Sequence, residues 1–328
     1  MSRNSTDISI VLCTYNRAEL FRIALKSLVI QENISGFDFE IIIIDDGSKD
    51  YTKKLAKNFI KNNPTIKIRY IHLEGRGIAG ARNVGIKEAC GKWIAFFDDD
   101  QWAEPQWLCE LYRVGENMEA DCVAGVILLD IPNRSNTKIT PFCRGLLGEK
   151  LFDSKIRKYS RRASFGLGSG NLMIRRTLFS RIGIFDEKIL IGCEDADLVW
   201  RAILNGSEMW HVPNAVVHHI IPETRLQIEY FIYVSLRIGV ADARLRHKYR
   251  GMLKCLIGLL RRILRNLGRY VLLFLKSIIL KNESYSLEQV CRLYLTIGYV
   301  RGCLFFFAPK FFKQRKFFKN LNFRIHHS

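Results

Sequence analysis

Three consecutive aspartates, Asp98, Asp99 and Asp100, follow the apolar run Trp93-Ile94-Ala95-Phe96-Phe97. Side by side, three carboxylates repel one another and cost stability unless a cation compensates them. The compensators are Lys or Arg, or a divalent metal with oxygen ligands. The apolar run reads as a buried strand, and open α/β sheets bind ligands at strand C-termini. The triplet therefore points to a metal and to a ligand carrying phosphates. Alternation along the strand sends Asp98 and Asp100 to one side and Asp99 to the other. Two oxygen ligands on one side suffice for Mg²⁺ or Mn²⁺, which keep waters and substrate phosphates. The competing reading is a solvated acidic turn.

Other segments add to this one. Cys13-Thr14-Tyr15-Asn16-Arg17 ends the first apolar run with a hydroxyl, a ring and amides suited to a base and phosphates, or with an ordinary helix cap. Asp45-Asp46-Gly47-Ser48 ends the second; Asp46 suits a base or ribose, and Asp-Gly also marks a turn. Arg82, after the small residues from Gly77, suits a phosphate. Gly75-x-Gly77-x-x-Gly80 matches a dinucleotide fingerprint, but it follows the third strand rather than the first. Gly168-Ser169-Gly170-Asn171 suits an acceptor pocket or a tight strand. Glu194, Asp195 and Asp197 open a helix, where acids suit the macrodipole and where a carboxylate base facing a cleft is well placed. His218-His219 ends a short strand; such a pair is usually structural, but imidazole also ligates ions such as Mn²⁺.

The elements that must position these residues alternate. Residues 8–13, 39–45, 66–72 and 92–98 read as strands, and 17–31, 50–61 and 78–89 as helices. The β-branched runs suit a parallel sheet covered on both faces, so the fold class expected is a doubly wound α/β domain. A helix follows Pro105 to about 118, then a strand over 121–129. An irregular basic segment spans 131–165, and a glycine-rich strand 165–174. Helices follow over 176–182 and 194–204, and two short strands over 208–212 and 215–219 flank Pro213-Asn214.

In this order the segments resemble glycosyltransferase family 2, with its GT-A fold, over roughly residues 7–220. The motifs are the run from Ile10 to Arg17, Ile43-Ile44-Asp45-Asp46-Gly47-Ser48, Gly80-Ala81-Arg82-Asn83-x-Gly85, Phe97-Asp98-Asp99-Asp100, Gly170-Asn171-Leu172-Met173, and Glu194-Asp195-x-Asp197-Leu198-x-x-Arg201. The resemblance implies a nucleotide-sugar donor and inversion at the anomeric carbon. It implies that Thr14, Tyr15 and Asp46 hold the nucleoside, with Arg82, Asp98 and Asp99 on the donor side. Asp100 and His219 would hold Mn²⁺ or Mg²⁺. Asp195 would be the general base, with Gly170, Asn171 and Glu194 on the acceptor side. The family's first motif usually has Pro where this chain has Cys13. The Gln-x-x-Arg-Trp motif of processive synthases is absent after Asp195, which favours transfer of a single sugar to a saccharide or lipid-linked saccharide. A sugar nucleotidyltransferase would show a glycine-rich loop after the first strand, which this turn lacks. A non-catalytic membrane scaffold is disfavoured by the acids and the candidate base.

Nearly half of the 328 residues are hydrophobic, so the chain is not disordered. Nine cysteines without a CxxC pair support neither a zinc knuckle nor a redox motif, and free thiols in a reducing cytoplasm are expected. No signal peptide is read at the N-terminus. Residues 244–328 carry 19 Lys and Arg against Glu283 and Glu288, a net +17 that leaves +2 for the rest. The expected organisation is a GT-A domain over 1–222 and a basic helical region over 223–328. That region has the mixed Leu, Ile, Phe and Arg composition of helices that lie on an anionic membrane, at the inner face of the cell membrane. No run of 18 uncharged apolar residues marks a transmembrane helix. The apolar content argues against nucleic acid, and oligomerisation through these helices is the other reading.

Overall fold

The computed structural model describes residues 6–32, 36–132, 139–151, 154–159, 168–189, 192–279, 283–310 and 312. The first seven elements are β1 (Ile8–Thr14), α1 (Ala18–Val29), β2 (Phe39–Asp45), α2 (Thr52–Asn62), β3 (Lys67–His72), α3 (Gly77–Glu88) and β4 (Trp93–Asp98). After them come β5 (Gln101–Ala103), α4 (Trp107–Asn117), β6 (Cys122–Asp130), α5 (Pro141–Leu146) and β7 (Arg157–Lys158). The chain continues through β8 (Asn171–Arg175), α6 (Leu178–Ile182), α7 (Glu194–Leu204), β9 (Met209–Ile220), α8 (Ile228–Ile279) and α9 (Glu283–Phe307).

The described strands form one mixed sheet in the order β3-β2-β1-β4-β8-β6-β9-β5, with β7 paired to β9. Strands β3, β2, β1 and β4 are parallel, β8 runs against β4 and β6, and β9 lies parallel to β6. Period-two alternation explains the continuous apolar strands. Ile8, Ile10 and Leu12 face a core with Phe21, Leu25 and Trp107, from α1 and α4. Val11 and Cys13 face a second core with Ala81, Ile86, Leu178 and Leu198, from α3, α6 and α7. The central strands β1, β2 and β4 are thus buried on both faces.

Three differences from the sequence expectation have physical causes. The reading of 208–219 as two strands broken at Pro213-Asn214 gives way to one strand, β9, whose register against β6 shifts between Gly125 and Val126. A bulge absorbs the proline that would have ended a regular ladder. Second, β5 was not read; three residues carry no periodicity. Third, part of 131–165 is ordered structure, including α5, capped by the Thr140 side chain at Cys143 N–H. Residues 133–138, 152–153 and 160–167 of that expected loop and strand lie outside the described residues.

The chain divides into two compact units. One comprises Met1–Asp130, Glu149–Leu190 and Glu194–Ile220; the other comprises Ile131–Gly148, Ile191–Cys193 and Ile221–Ser328. The second unit therefore includes 131–148, which the division at residue 222 assigned to the first. It is helical, with α8 broken at Gly251 (φ 77°, ψ 171°) and α9 packed against α8. Within α9, Ser286–Phe307 is long and apolar enough to cross a membrane by length and composition, with a mean hydropathy of 1.4. All nine cysteines are free thiols.

Candidate active site

Strand β4 ends at Asp98, and the chain turns through Asp99 and Asp100 into β5. The turn corrects the alternation expected for the triplet. Asp99 and Asp100 share one partner, and Asp98 has another. Arg17, at the start of α1, donates through Nη1 to Asp99 Oδ1 at 3.1 Å and to Asp100 Oδ2 at 3.2 Å. Thr14 Oγ1 at the end of β1 donates to Asp99 Oδ2 at 2.9 Å. Arg82 on α3 donates to Asp98 Oδ1 at 2.9 Å and to Glu194 Oε1 at 2.5 Å. The charge that three neighbouring carboxylates create is met by two arginines on opposite sides of the turn. Burial pushes the Asp99 carboxyl up to about 6; Arg17 pulls it down and Asp100 pushes it further up.

The β5–β9 pairing brings the histidines in. Gln101 lies opposite His219, and Ile220 N–H donates to the Asp100 carbonyl at 2.9 Å. His219 Nε2 stands 3.4 Å from Asp100 Oδ2. Its neighbour His218 stacks on Trp102 at 3.7 Å between ring centroids and reaches Glu104 Oε1 at 3.0 Å. The two histidines thus part company: one serves the acidic turn, the other the sheet edge. Among the described residues no cluster of three or more His, Cys, Asp and Glu is arranged to hold a metal ion. The donor set that does converge is one carboxylate and one imidazole.

Across the sheet, Gly170 closes on the same turn. A Cβ there would lie 2.7 Å from Asp98 Oδ2 and 2.6 Å from Gln101 Nε2. Ser169 N–H points to Asp195 Oδ2 at 3.4 Å, and Asp195 Oδ1 accepts from Ala196 N–H at 2.7 Å. The Ser169-Gly170 dipeptide is therefore flanked by Asp98 on one side and Asp195, at the N-terminus of α7, on the other. Gly170→Ala is expected to force Asp98 and Gln101 off their positions, at about 1–3 kcal/mol of overpacking. A donor-binding assay with a thermal melt checks it: both affinity and melting temperature should fall.

Several expected site residues hold structure together. Asn171, expected on the acceptor side, is 1% exposed and fully engaged. Its Nδ2 donates to the Val126 carbonyl at 2.8 Å and the Ala215 carbonyl at 2.9 Å, and its Oδ1 accepts from Trp107 Nε1 at 2.8 Å. Those two carbonyls flank the β6–β9 bulge, so the amide supplies donors that the shifted ladder cannot. Glu194, also expected on the acceptor side, is buried on Arg82 instead. Asp46 accepts Arg76 N–H at 2.7 Å and Gly77 N–H at 2.9 Å, which caps α3, and a carboxylate retains lone pairs for a ligand. Tyr15 is exposed at the same edge.

Sequence reasoning gave no role to two residues. Arg17 stood in the first motif, but its pairing spans more than 80 residues and carries no local signal. Gln101 is 3% exposed, and its Oε1 is buried without a hydrogen-bond partner among the described residues. An unsatisfied amide oxygen at that place costs stability.

A mixed, doubly covered sheet with acidic turns at the C-terminal ends of its parallel strands defines an α/β protein of the GT-A type. Residues 9–183, more than half of the chain, match the model of "Glycosyl transferase family 2", and the chain belongs to that family. The putative glycosyltransferase EpsH of Bacillus subtilis is 35% identical over 116 residues, 35% of this chain and 32% of that protein. The chain thus matches under a third of that relative's length. S. aureus TarS 1–349, solved in complex with UDP-GlcNAc, superimposes with a TM-score of 0.54 at 17% identity, over 93% of this chain and 92% of that one. GalNAc-T7, solved with UDP, GalNAc and Mn²⁺, gives 0.53 at 17% identity over 71% of this chain and 48% of that one. Both share the fold.

Proposed function

We propose that the protein transfers a single sugar from a nucleotide-sugar donor to a hydroxyl of a saccharide or lipid-linked saccharide, with inversion. Synthesis of a cell-surface polysaccharide or glycolipid at the cytoplasmic face of the membrane is the setting this implies. The observation that carries the reading is the flanking of Ser169-Gly170 by the aspartate turn and by Asp195. One side suits a donor diphosphate; the other suits a hydroxyl that must lose a proton. The UDP-GlcNAc complex of TarS supports a nucleotide-sugar donor, and the Mn²⁺ of GalNAc-T7 supports a divalent cation.

Asp100 and His219 fit such a cation as a carboxylate and an imidazole, with phosphate oxygens and waters as the remaining ligands. Bound there, it would neutralise charge on the departing nucleoside diphosphate. The chain's own groups do the rest in this reading. Arg17 and Arg82 hold the three aspartates apart and oriented. Thr14, Tyr15 and Asp46 take the nucleoside, and Gln101 Oε1 accepts a donor hydroxyl. Asp195 receives the acceptor's proton as the oxygen attacks the face opposite the leaving group.

Thermal-shift screening of the full chain against a panel of nucleotide sugars with Mn²⁺ or Mg²⁺ tests this. A true donor at a hundred times its Kd adds about 2.7 kcal/mol of stability. The shift should shrink on chelation and in Asp100→Asn. A panel that leaves the melt unmoved would sink the reading.

A further inference from the structure

Between residues 243 and 282 the chain has no Asp or Glu. Beyond Gly251, α8 is a helix whose described side chains are exposed along most of its length. At about 100° per residue, Leu256, Leu260, Leu264, Leu267, Phe274 and Ile278 fall within an arc of about 80°. All six are exposed, Leu264 and Leu267 at 62% each. The exposed Arg261, Arg265, Arg269 and Lys276 fall within another arc of about 80°, centred about 140° away from the first. Leu272 and Ile279 lie toward the basic arc and are exposed too. A helix folded only for water does not carry such an apolar arc.

Charge decides between occupants. A second copy of this chain would bring the same positive excess, with no acid between 243 and 282 to answer it. A nucleic acid would engage the basic arc and leave the apolar arc in water. An anionic bilayer surface answers both arcs at once: leucines in the headgroup–acyl boundary, arginines at the anionic headgroups.

We propose that residues 252–279 lie in the plane of an anionic bilayer surface, with Gly251 setting the break that turns this helix against the segment before it, where Cys255 donates to the Ala243 carbonyl and Arg262 to Asp242. A Cβ at Gly251 would meet nothing within 4 Å, so the break owes nothing to crowding. The proposal does not depend on the transfer reaction.

The full-length protein should sediment with phosphatidylcholine vesicles that contain phosphatidylglycerol and stay behind with phosphatidylcholine alone. Raised salt should weaken the binding. Arg261→Gln, Arg265→Gln and Arg269→Gln together should lower the partition coefficient on the order of a hundredfold. Leu260→Ser, Leu264→Ser and Leu267→Ser together should abolish it while leaving the nucleotide-sugar thermal shift intact, because these side chains are exposed. In Phe274→Trp, emission should move to the blue on anionic vesicles, relative to the unmodified protein. Sedimentation indifferent to phosphatidylglycerol, an unmoved tryptophan, or a dimer in lipid-free solution that the leucine substitutions dissolve would each overturn the proposal.

Discussion

Asp195→Asn should lower kcat for sugar transfer about 10²–10⁴-fold while leaving donor affinity nearly unchanged. Asp195 touches Ser169 N–H and Ala196 N–H, on the far side of Gly170 from the aspartate turn. An asparagine oxygen still accepts from one of these groups, so the fold has little reason to change. What the amide cannot do is take a proton from a hydroxyl. Steady-state rates with saturating donor, set beside the donor-induced thermal shift, separate the two effects. Turnover near that of the unmodified protein would remove Asp195 from the role of base. Glu194→Gln makes the informative contrast, because Glu194 points inward to Arg82. It should act through stability, not through proton transfer.

The legible parts of this fold are those whose signal is local. Runs such as Ile41-Ile42-Ile43-Ile44 announce strands buried on both faces, and the helices between them keep their apolar spacing. The three βα steps that carry Thr14, Asp46 and Arg82, and the strand that ends at Asp98, therefore came through with boundaries a residue or two off. The rest depends on partners far apart in sequence. Asn171 looks like any polar residue at a glycine-rich strand until the β6–β9 bulge shows two carbonyls in need of donors. Period-two reasoning failed for the triplet because the strand ends at Asp98, and alternation has no authority in a turn. Arg17 and Gln101 carried no pattern at all. Their importance exists only once β1, β4 and β9 share an edge.

The triplet also explains where the site is most vulnerable. Arg82 is buried on α3, and it links Asp98 of β4 to Glu194 at the start of α7. Replacing it with methionine keeps the volume and removes the charge. Glu194, 5% exposed, is then left without this partner, and breaking a buried pair from one side costs about 3–5 kcal/mol. Arg82→Met should therefore lower the melting temperature by about 6–20 °C, at roughly 2–4 °C per kcal/mol for a unit of this size. It should also lose donor binding, since Asp98 loses the group that aims it. Arg82→Lys should fall between, because an ammonium keeps the charge but lacks the fork that spans both carboxylates. The decisive comparison is the double variant Arg82→Met with Glu194→Met. With the buried acid removed, it should recover much of the stability lost in the single variant. It should not recover donor binding, because Asp98 still lacks its arginine. A double variant as unstable as the single one would mean that Arg82 stabilises the fold through packing, with Phe185 under its guanidinium at 5.5 Å, and not through the Glu194 ion pair.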